Sequence, residues 1–329
     1  MTRSDRLVTI FGGSGFLGRH VAHALARHGW RIRIATRRPD LAFHVQPSGR
    51  VGQIHAVQAN LRYPESILPA LQNADAVVNL VGILRERGAQ TFEAVNHHGV
   101  GTVAEAAKAA GITNFTHISA LGAAPDALSL YAKSKAAGEA AVRETLPQAI
   151  ILRPSVVFGP EDNLFNRFAA MARLMPALPL IGGGNTKLQP VYVGDVAEAI
   201  ALTLDGKAQA GRTYELGGPK VASLREIITF VLRVTERRRL LVPIPFGLAH
   251  WMGAATEIAM KASFGLFPEI FALTRDEVDL LKSDNIVSNQ ATVEQRTLPG
   301  LGIMPESFEA LVPTYLGRYR KTGAALPIN

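Results

Sequence analysis

Residues 7–20 read Leu7-Val8-Thr9-Ile10-Phe11-Gly12-Gly13-Ser14-Gly15-Phe16-Leu17-Gly18-Arg19-His20, and their order decides the fold. The apolar run Leu7 to Phe11 reads as a buried strand. It enters a glycine turn, and a helical pattern starts directly behind it. A helix N-terminus carries unpaired N–H groups and a partial positive charge, so it attracts phosphate. Gly12 permits the turn, Gly15 keeps side-chain bulk away from a pyrophosphate, and Gly18 allows close packing of helix on strand. The G-x-x-G-x-x-G spacing is one residue looser than the dinucleotide fingerprint G-x-G-x-x-G. A bare structural turn would carry the same glycines; a strand before and a helix after favour a nucleotide cradle.

Outward from this stretch, strands over 31–36, 53–61, 74–81, 114–120 and 149–152 alternate with helical patterns over 17–30, 65–72, 90–110 and 129–144. That alternation predicts right-handed crossovers and an α/β fold with a doubly wound parallel sheet. After residue 155 the rhythm loosens. A helix over 163–175, a turn at Gly182-Gly183-Gly184 and a short strand over 190–193 come next. Asp195 is placed to cap a helix over 196–204, a strand covers 213–216, and Ser223 is placed to cap a helix over 224–234. The expected division is a dinucleotide-binding domain over 1–155 and a smaller C-terminal α/β subdomain over 156–329.

With 329 residues, 47% of them apolar, the chain supports a sizeable core. It has no cysteine, hence no disulfide, thiolate nucleophile or cysteine metal site. Its net charge is 35 − 27 = +8, but the basic residues are scattered apart from Arg237-Arg238-Arg239. No nucleic-acid motif is present, so no nucleic-acid partner is expected. A first strand at residue 7 leaves no room for a signal or transit peptide. No uninterrupted run of about 20 apolar residues reads as a membrane span. The segment 240–273 stands apart. Leu240 to Thr256 has no formally charged residue and is broken by Pro243, Pro245 and Gly247; Phe264, Phe267 and Phe271 follow. It reads either as a lid or satellite core, or as a face that docks on a partner or at the bilayer interface. The three arginines before it would then face anionic headgroups or solvent.

A dinucleotide fold usually carries an acid after its second strand to hold the ribose 2′-hydroxyl. Here that strand ends Ala35-Thr36-Arg37-Arg38-Pro39, with no acid before Asp40. Two guanidiniums suit a 2′-phosphate, so NADP(H) is favoured over NAD(H), unless both are solvated loop residues. Asn60-Leu61, ending the third strand, can reach an adenine. Val81-Gly82, ending the fourth, let the backbone approach a ribose. Tyr131 and Lys135 share one helix face, where an ammonium stabilises tyrosinate for acid/base work. His97-His98 lies on a predicted helix on which neighbours face different ways, so no shared metal ion is expected there or elsewhere. Glu161-Asp162 reads as a solvated loop.

Together Gly12-x-x-Gly15-x-x-Gly18, Asn79-x-x-Gly82, Val95-Asn96-x-x-Gly99, Tyr131-x-x-x-Lys135 and Arg153-Pro154-x-x-x-Phe158-Gly159 resemble the extended short-chain dehydrogenase/reductase superfamily. The match runs over about residues 5 to 235. The finer pattern is similar to one atypical branch, the NADPH-binding accessory subunits of respiratory complex I (alpha subcomplex subunit 9) and their bacterial relatives. It comprises Phe11 to Arg19, Leu80-Val81-Gly82, Ala136-Ala137-Gly138-Glu139, Gln189 to Val196 and Leu273-Thr274-Arg275-Asp276.

The resemblance implies a Rossmann-type sheet holding NADPH. Gly12, Ser14, Gly15, Phe16, Leu17 and Gly18 would surround the pyrophosphate, and Arg37 and Arg38 the 2′-phosphate. Asn60 stands for the superfamily's usual Asp. Tyr131 and Lys135 would line the nicotinamide ribose, and Pro154 would edge the nicotinamide. Active members carry Ser or Thr near the end of strand five, where Ala120 aligns; Ser119 is one residue off. A missing oxyanion partner costs orders of magnitude in rate, so Tyr131 and Lys135 would survive as cofactor ligands. The implied role is a subunit without turnover, docked on complex I subunits. Its place would be peripheral, at the cytoplasmic face of a bacterial inner membrane or the matrix side of a mitochondrial one, with 240–273 facing partner or lipid. Two other readings stay open. One is a soluble NADP-dependent oxidoreductase, epimerase or dehydratase using Tyr131, Lys135 and Ser119; the other is an NADP(H) redox sensor.

Overall fold

The computed structural model describes residues 6–263 and 266–321. The elements up to Pro154 are β1 (Leu7–Phe11), α1 (Phe16–Arg27), β2 (Arg31–Thr36), β3 (Ile54–Gln58), α2 (Ile67–Leu71), β4 (Ala76–Asn79), α3 (Gly99–Ala109), β5 (Asn114–Ile118), α4 (Leu130–Thr145) and β6 (Ile150–Pro154). These six strands and a seventh, Thr213–Leu216, form one sheet in the order Thr213–Leu216, β6, β5, β4, β1, β2, β3. Every pairing in it is parallel. The winding reverses between β1 and β4, and ligands of such sheets bind at the carboxyl ends of the strands at that switch point. Phe11 lies opposite Ala35 on one side and Asn79 on the other. The glycine turn, Thr36-Arg37 and Leu80-Val81 therefore leave the sheet at the same edge.

β1 and β4 are buried along their whole length, as strands covered on both faces must be. α1 lays Gly18, Val21, Ala22 and Leu25 on the sheet. On the other face Val100, Val103, Ala104 and Ala107 of α3 pack with Phe11, Val77 and Phe115. The Ser129 hydroxyl accepts the Ala132 N–H and starts α4.

The chain forms two compact units, and the division is not a single cut near residue 155. The first unit takes residues up to Pro154 and then reclaims Val193–Leu216 and Val287–Pro305. A boundary set from the loss of rhythm misses this, because the seventh strand belongs to the sheet by pairing with β6, not by nearness in sequence. Asp195 is not a cap: the helix begins at Val193 and holds Asp195, buried, in its first turn.

The second unit comprises Ser155–Tyr192, Gly217–Ile286 and the chain from Glu306 on. Its helices Phe165–Leu174, Leu224–Val234 and Phe308–Leu316 share a core around Phe158, Phe165 and Phe308. Ser223 and Glu226 form a reciprocal capping box on the second of these. Asp162 is not solvated; it is buried and accepts bonds from the N–H groups of Gly159, Phe165 and Asn166 and from the Tyr315 hydroxyl. Ala177–Ile181 pairs in parallel with Leu240–Ile244, which leads into a helix over Phe246–Ala262.

Candidate functional site

At the β1/β4 edge of the first unit lies a cavity of about 370 Å³. Its floor is the glycine turn. Gly12 adopts φ +80°, and a Cβ there would press within 3.3 Å of the Leu80 and Val81 backbone. A Cβ on Gly18 would come within 2.5 Å of three backbone atoms of Gly12 and Gly13, so only glycine lets α1 lie so close to β1. A Cβ on Gly15 would meet only the Gly12 carbonyl, at 3.5 Å, and otherwise open space. Gly15 is also the N-cap of α1. No side chain caps this helix and no acid sits in its first turn, so its N-terminal N–H groups stay available beside the cavity-lining Phe16, Leu17 and Gly18. Such a terminus is a site for an anion.

Ser14, Asn60, Leu61, Val81 and Gly82 also line the cavity. The Ser14 and Thr36 hydroxyl oxygens lie 3.4 Å apart, and the Asn60 side chain accepts the Arg62 N–H at 3.2 Å. Arg37 is exposed, lines the cavity and bonds to no other described residue. Arg38 departs from the sequence expectation. It does not line the cavity, and its guanidinium grips Asp40 in a fork with contacts of 3.0 and 2.7 Å. That pairing raises the pKa of Arg38 and lowers that of Asp40. A carboxylate two residues away has captured the cation. Arg62, by contrast, lines the cavity. It stands on the same strand exit as Asn60-Leu61, two residues on from the position that the sequence singles out.

Tyr131, Lys135, Ser119 and Pro154 are not among the lining residues. Lys135 still reaches the wall, since a Cβ on Gly82 would stand 3.5 Å from its Nζ. Its ammonium is buried, donates to the Ile118 carbonyl at 2.6 Å, and has its pKa brought down to about 8 by burial. One turn on, Glu139 receives a two-pronged bond from Arg153 of β6, at 2.8 and 2.7 Å. Tyr131 is half-buried with its ring edge-on to Phe92, centroids 6.0 Å apart. Near Lys135, His117 is held neutral by burial and by that ammonium. The His117 ring nitrogens, Asn79 Nδ2 and Ser119 Oγ are buried without hydrogen-bond partners. The uncapped helix and the open lane at Gly15 fit a phosphate-bearing ligand entering between β1 and β4.

A second departure concerns the helix expected over 90–110. Its first part, Glu93–His98, is a π-helical turn, and α3 begins only at Gly99. The turn puts Ala94 and Val95 on the cavity wall. Asn96 points inward, where it accepts the Ile83 N–H and donates to Ser134 Oγ. A Cβ on Gly138 would stand 2.3 Å from the Asn96 carbonyl, so that glycine lets α4 close on the turn. His97 and His98 do not diverge: their rings stack, centroids 4.7 Å apart, and both approach Glu93.

In the second unit, the helix Phe246–Ala262 inverts the usual pattern. Its inner side is small or polar. Ala249 and Gly253 are buried, the Thr256 hydroxyl donates to the Leu273 carbonyl, and Glu257 pairs with Arg275 at 2.9 Å. Its outer side carries Leu248, Trp251, Met252 and Ile258, with Trp251 79% exposed. Arg237 and Arg239 each donate to a backbone carbonyl, of Tyr319 and Ala172, which leaves Arg238 outermost of the three. Phe264 lies outside the described residues. No helix among the described residues is long and apolar enough to cross a membrane.

Comparison with known proteins joins these observations. Residues 8–217 match the NAD dependent epimerase/dehydratase family. The mitochondrial NADH dehydrogenase [ubiquinone] 1 alpha subcomplex subunit 9 of Arabidopsis thaliana is 36% identical over 97% of this chain and 79% of its own length. A ceramide reductase of Caulobacter vibrioides is 36% identical over 60% of each chain. Among solved structures, a UDP-glucose 4-epimerase of Thermotoga maritima superposes with a TM-score of 0.68 at 17% identity, over 96% of this chain and 99% of that one, a likeness of fold alone.

Proposed function

The chain belongs to the NAD dependent epimerase/dehydratase family, with the alpha subcomplex subunit 9 proteins among its close homologues, and from that membership we propose an accessory subunit of respiratory complex I that holds NADP(H) without turning it over. The observation that carries the cofactor is the uncapped N-terminus of α1 opening on a glycine-floored cavity. The glycine turn would take the pyrophosphate. Arg37, with Arg62 on the facing strand exit, would take the 2′-phosphate and so select NADP(H) over NAD(H). Lys135, through Gly82, would meet the nicotinamide ribose with Tyr131, and Pro154 would edge the ring. When bound, the dinucleotide supplies a hydride couple; here its weight is in stability. A ligand that binds only the folded chain stabilises it by about 4 kcal/mol at a thousand times its Kd.

The role in an assembly rests on similarity along nearly the whole chain and on the inverted helix Phe246–Ala262. An exposed apolar helix face needs cover from a partner or from lipid. We place the protein peripherally at the cytoplasmic face of a bacterial inner membrane, or at the matrix side in a mitochondrion. The test is to recover the tagged chain from membranes in mild detergent and identify what travels with it. Respiratory complex I subunits should co-purify; a soluble monomer free of them would overturn the reading.

Two observations favour a second reading, a reductase. Lys135 keeps a lowered pKa at the cavity wall with Tyr131 on the same helix, and a relative of similar identity is named a ceramide reductase. NADPH oxidation with a carbonyl substrate, abolished by Tyr131→Phe, would establish it.

A further inference from the structure

The structure assigns a second ligand site to the outer side of the π-helical turn: we propose that Glu93, His97 and His98 bind a divalent transition-metal ion of the zinc class. The site does not depend on the cofactor reading. One donor atom from each residue lies within 4.8 Å of the others. Glu93 Oε1 stands 2.7 Å from His97 Nδ1 and 3.0 Å from His98 Nε2. Ligand atoms about 2.1 Å from a tetrahedral zinc stand roughly 3.4 Å from one another. The two contacts to Glu93 therefore need to open by about 0.7 and 0.4 Å to admit the ion.

The backbone explains why two adjacent histidines can share it. In an α-helix, with 3.6 residues per turn, position i+5 lies roughly 140° round the axis from position i. In a π-turn the i→i+5 bond closes one turn at that spacing, so positions i, i+4 and i+5 fall on one side. Glu93, His97 and His98 hold those positions. The turn is anchored from behind by Asn96, which bonds Ile83 and Ser134, and by close packing at Gly138. The donors therefore sit on a braced backbone and not on a loose loop.

The donor set chooses the metal. Two imidazoles and one carboxylate suit zinc, cobalt, nickel or copper, whereas calcium and magnesium want oxygen ligands throughout. The side chains of Glu93 and His98 are 62% and 68% exposed and that of His97 is 32% exposed, so an ion reaches the site directly and keeps water in its remaining position.

The experiment uses the full chain without a polyhistidine tag. Zn²⁺ is titrated against a chromophoric chelator, and Co²⁺ is followed by its visible absorption. We expect one equivalent bound in the micromolar range or tighter, with cobalt bands of an imidazole–carboxylate site. His97→Ala and His98→Ala should each weaken binding at least about tenfold. Glu93→Gln, which keeps the side chain's shape, should weaken it about as much. His44→Ala, at an exposed histidine elsewhere, should change nothing. Circular dichroism confirms that each surface variant stays folded. Absence of stoichiometric zinc binding, or undiminished binding in the His97→Ala/His98→Ala double variant, overturns the assignment.

Discussion

The glycine-floored cavity and the helix Phe246–Ala262 are both sites that look outward, yet opposite physics shapes them. In the cavity the backbone decides. Gly12 sits where L side chains are strained, Gly18 where a single Cβ collides with main chain, and the helix start offers its own N–H groups. On the helix the side chains decide, and their pattern is reversed, with Gly253 and Thr256 inward and Leu248, Trp251 and Ile258 outward. A site made by the chain on itself is complete in the folded unit. The proposed docking face leaves apolar area uncovered. Mutations should therefore separate the two, the first through stability and the second through association alone.

The largest effect belongs to Gly18→Ala. Its Cβ has no room against fixed backbone, so unfolding in urea should show a loss of about 3 kcal/mol or more, beyond ordinary overpacking. Gly15→Ala is its control. With open space around the new methyl, stability should hold within about 0.5 kcal/mol while NADPH binding weakens. Equal destabilisation by both would show that the turn is only a packing device.

Next comes Lys135. Its folded pKa of about 8 lies below the usual 10.5 of an unfolded chain. Between those values the unfolded state holds the extra proton, so stability should rise with pH, by at most about 1.4 kcal/mol per pH unit. Denaturation midpoints of wild type and Lys135→Met, compared from pH 7.5 to 10, should show the rise in the first only.

Arg37 and Arg38 form a natural internal pair. Arg37→Ala should weaken NADPH binding about tenfold and leave NADH binding unchanged, as for one lost charge-assisted bond of about 1.5 kcal/mol. Arg38→Ala should change neither, because its guanidinium already serves Asp40. A reversed result would return Arg38 to the 2′-phosphate site. The smallest thermodynamic effect is expected for Trp251→Glu, within about 0.5 kcal/mol of wild-type stability. The same variant should lose co-purification with membranes. If it unfolds instead, the exposed face is part of a core and the comparison fails.

What the sequence revealed about fold and site follows the same line. β1, the glycine turn and α1 were legible because their causes are local, as was the cap at Ser223. Arg38 is not decided by spacing, because a two-residue contact with Asp40 competes with a ligand. Arg62 was passed over because nothing in its type or spacing marks it. The π-turn was hidden because one extra residue in a turn barely disturbs an apolar period, yet it reverses where His98 points. Asp162 read as solvent-exposed since its partner Tyr315 lies far along the chain. The return of Val193–Leu216 to the first unit depends on pairing across the intervening second unit, which no local pattern records.

That return has a consequence for how the protein is made. β6 leaves the ribosome well before Thr213–Leu216, the strand that covers its outer edge. At about 5–20 residues per second, the delay is on the order of 3 to 12 seconds. During that interval the nascent sheet presents an unpaired strand edge, Ile151 to Pro154, to every other chain nearby. Codon choice and chaperone capture over residues 155–216 should therefore govern the yield of folded protein more strongly than those over its first strands.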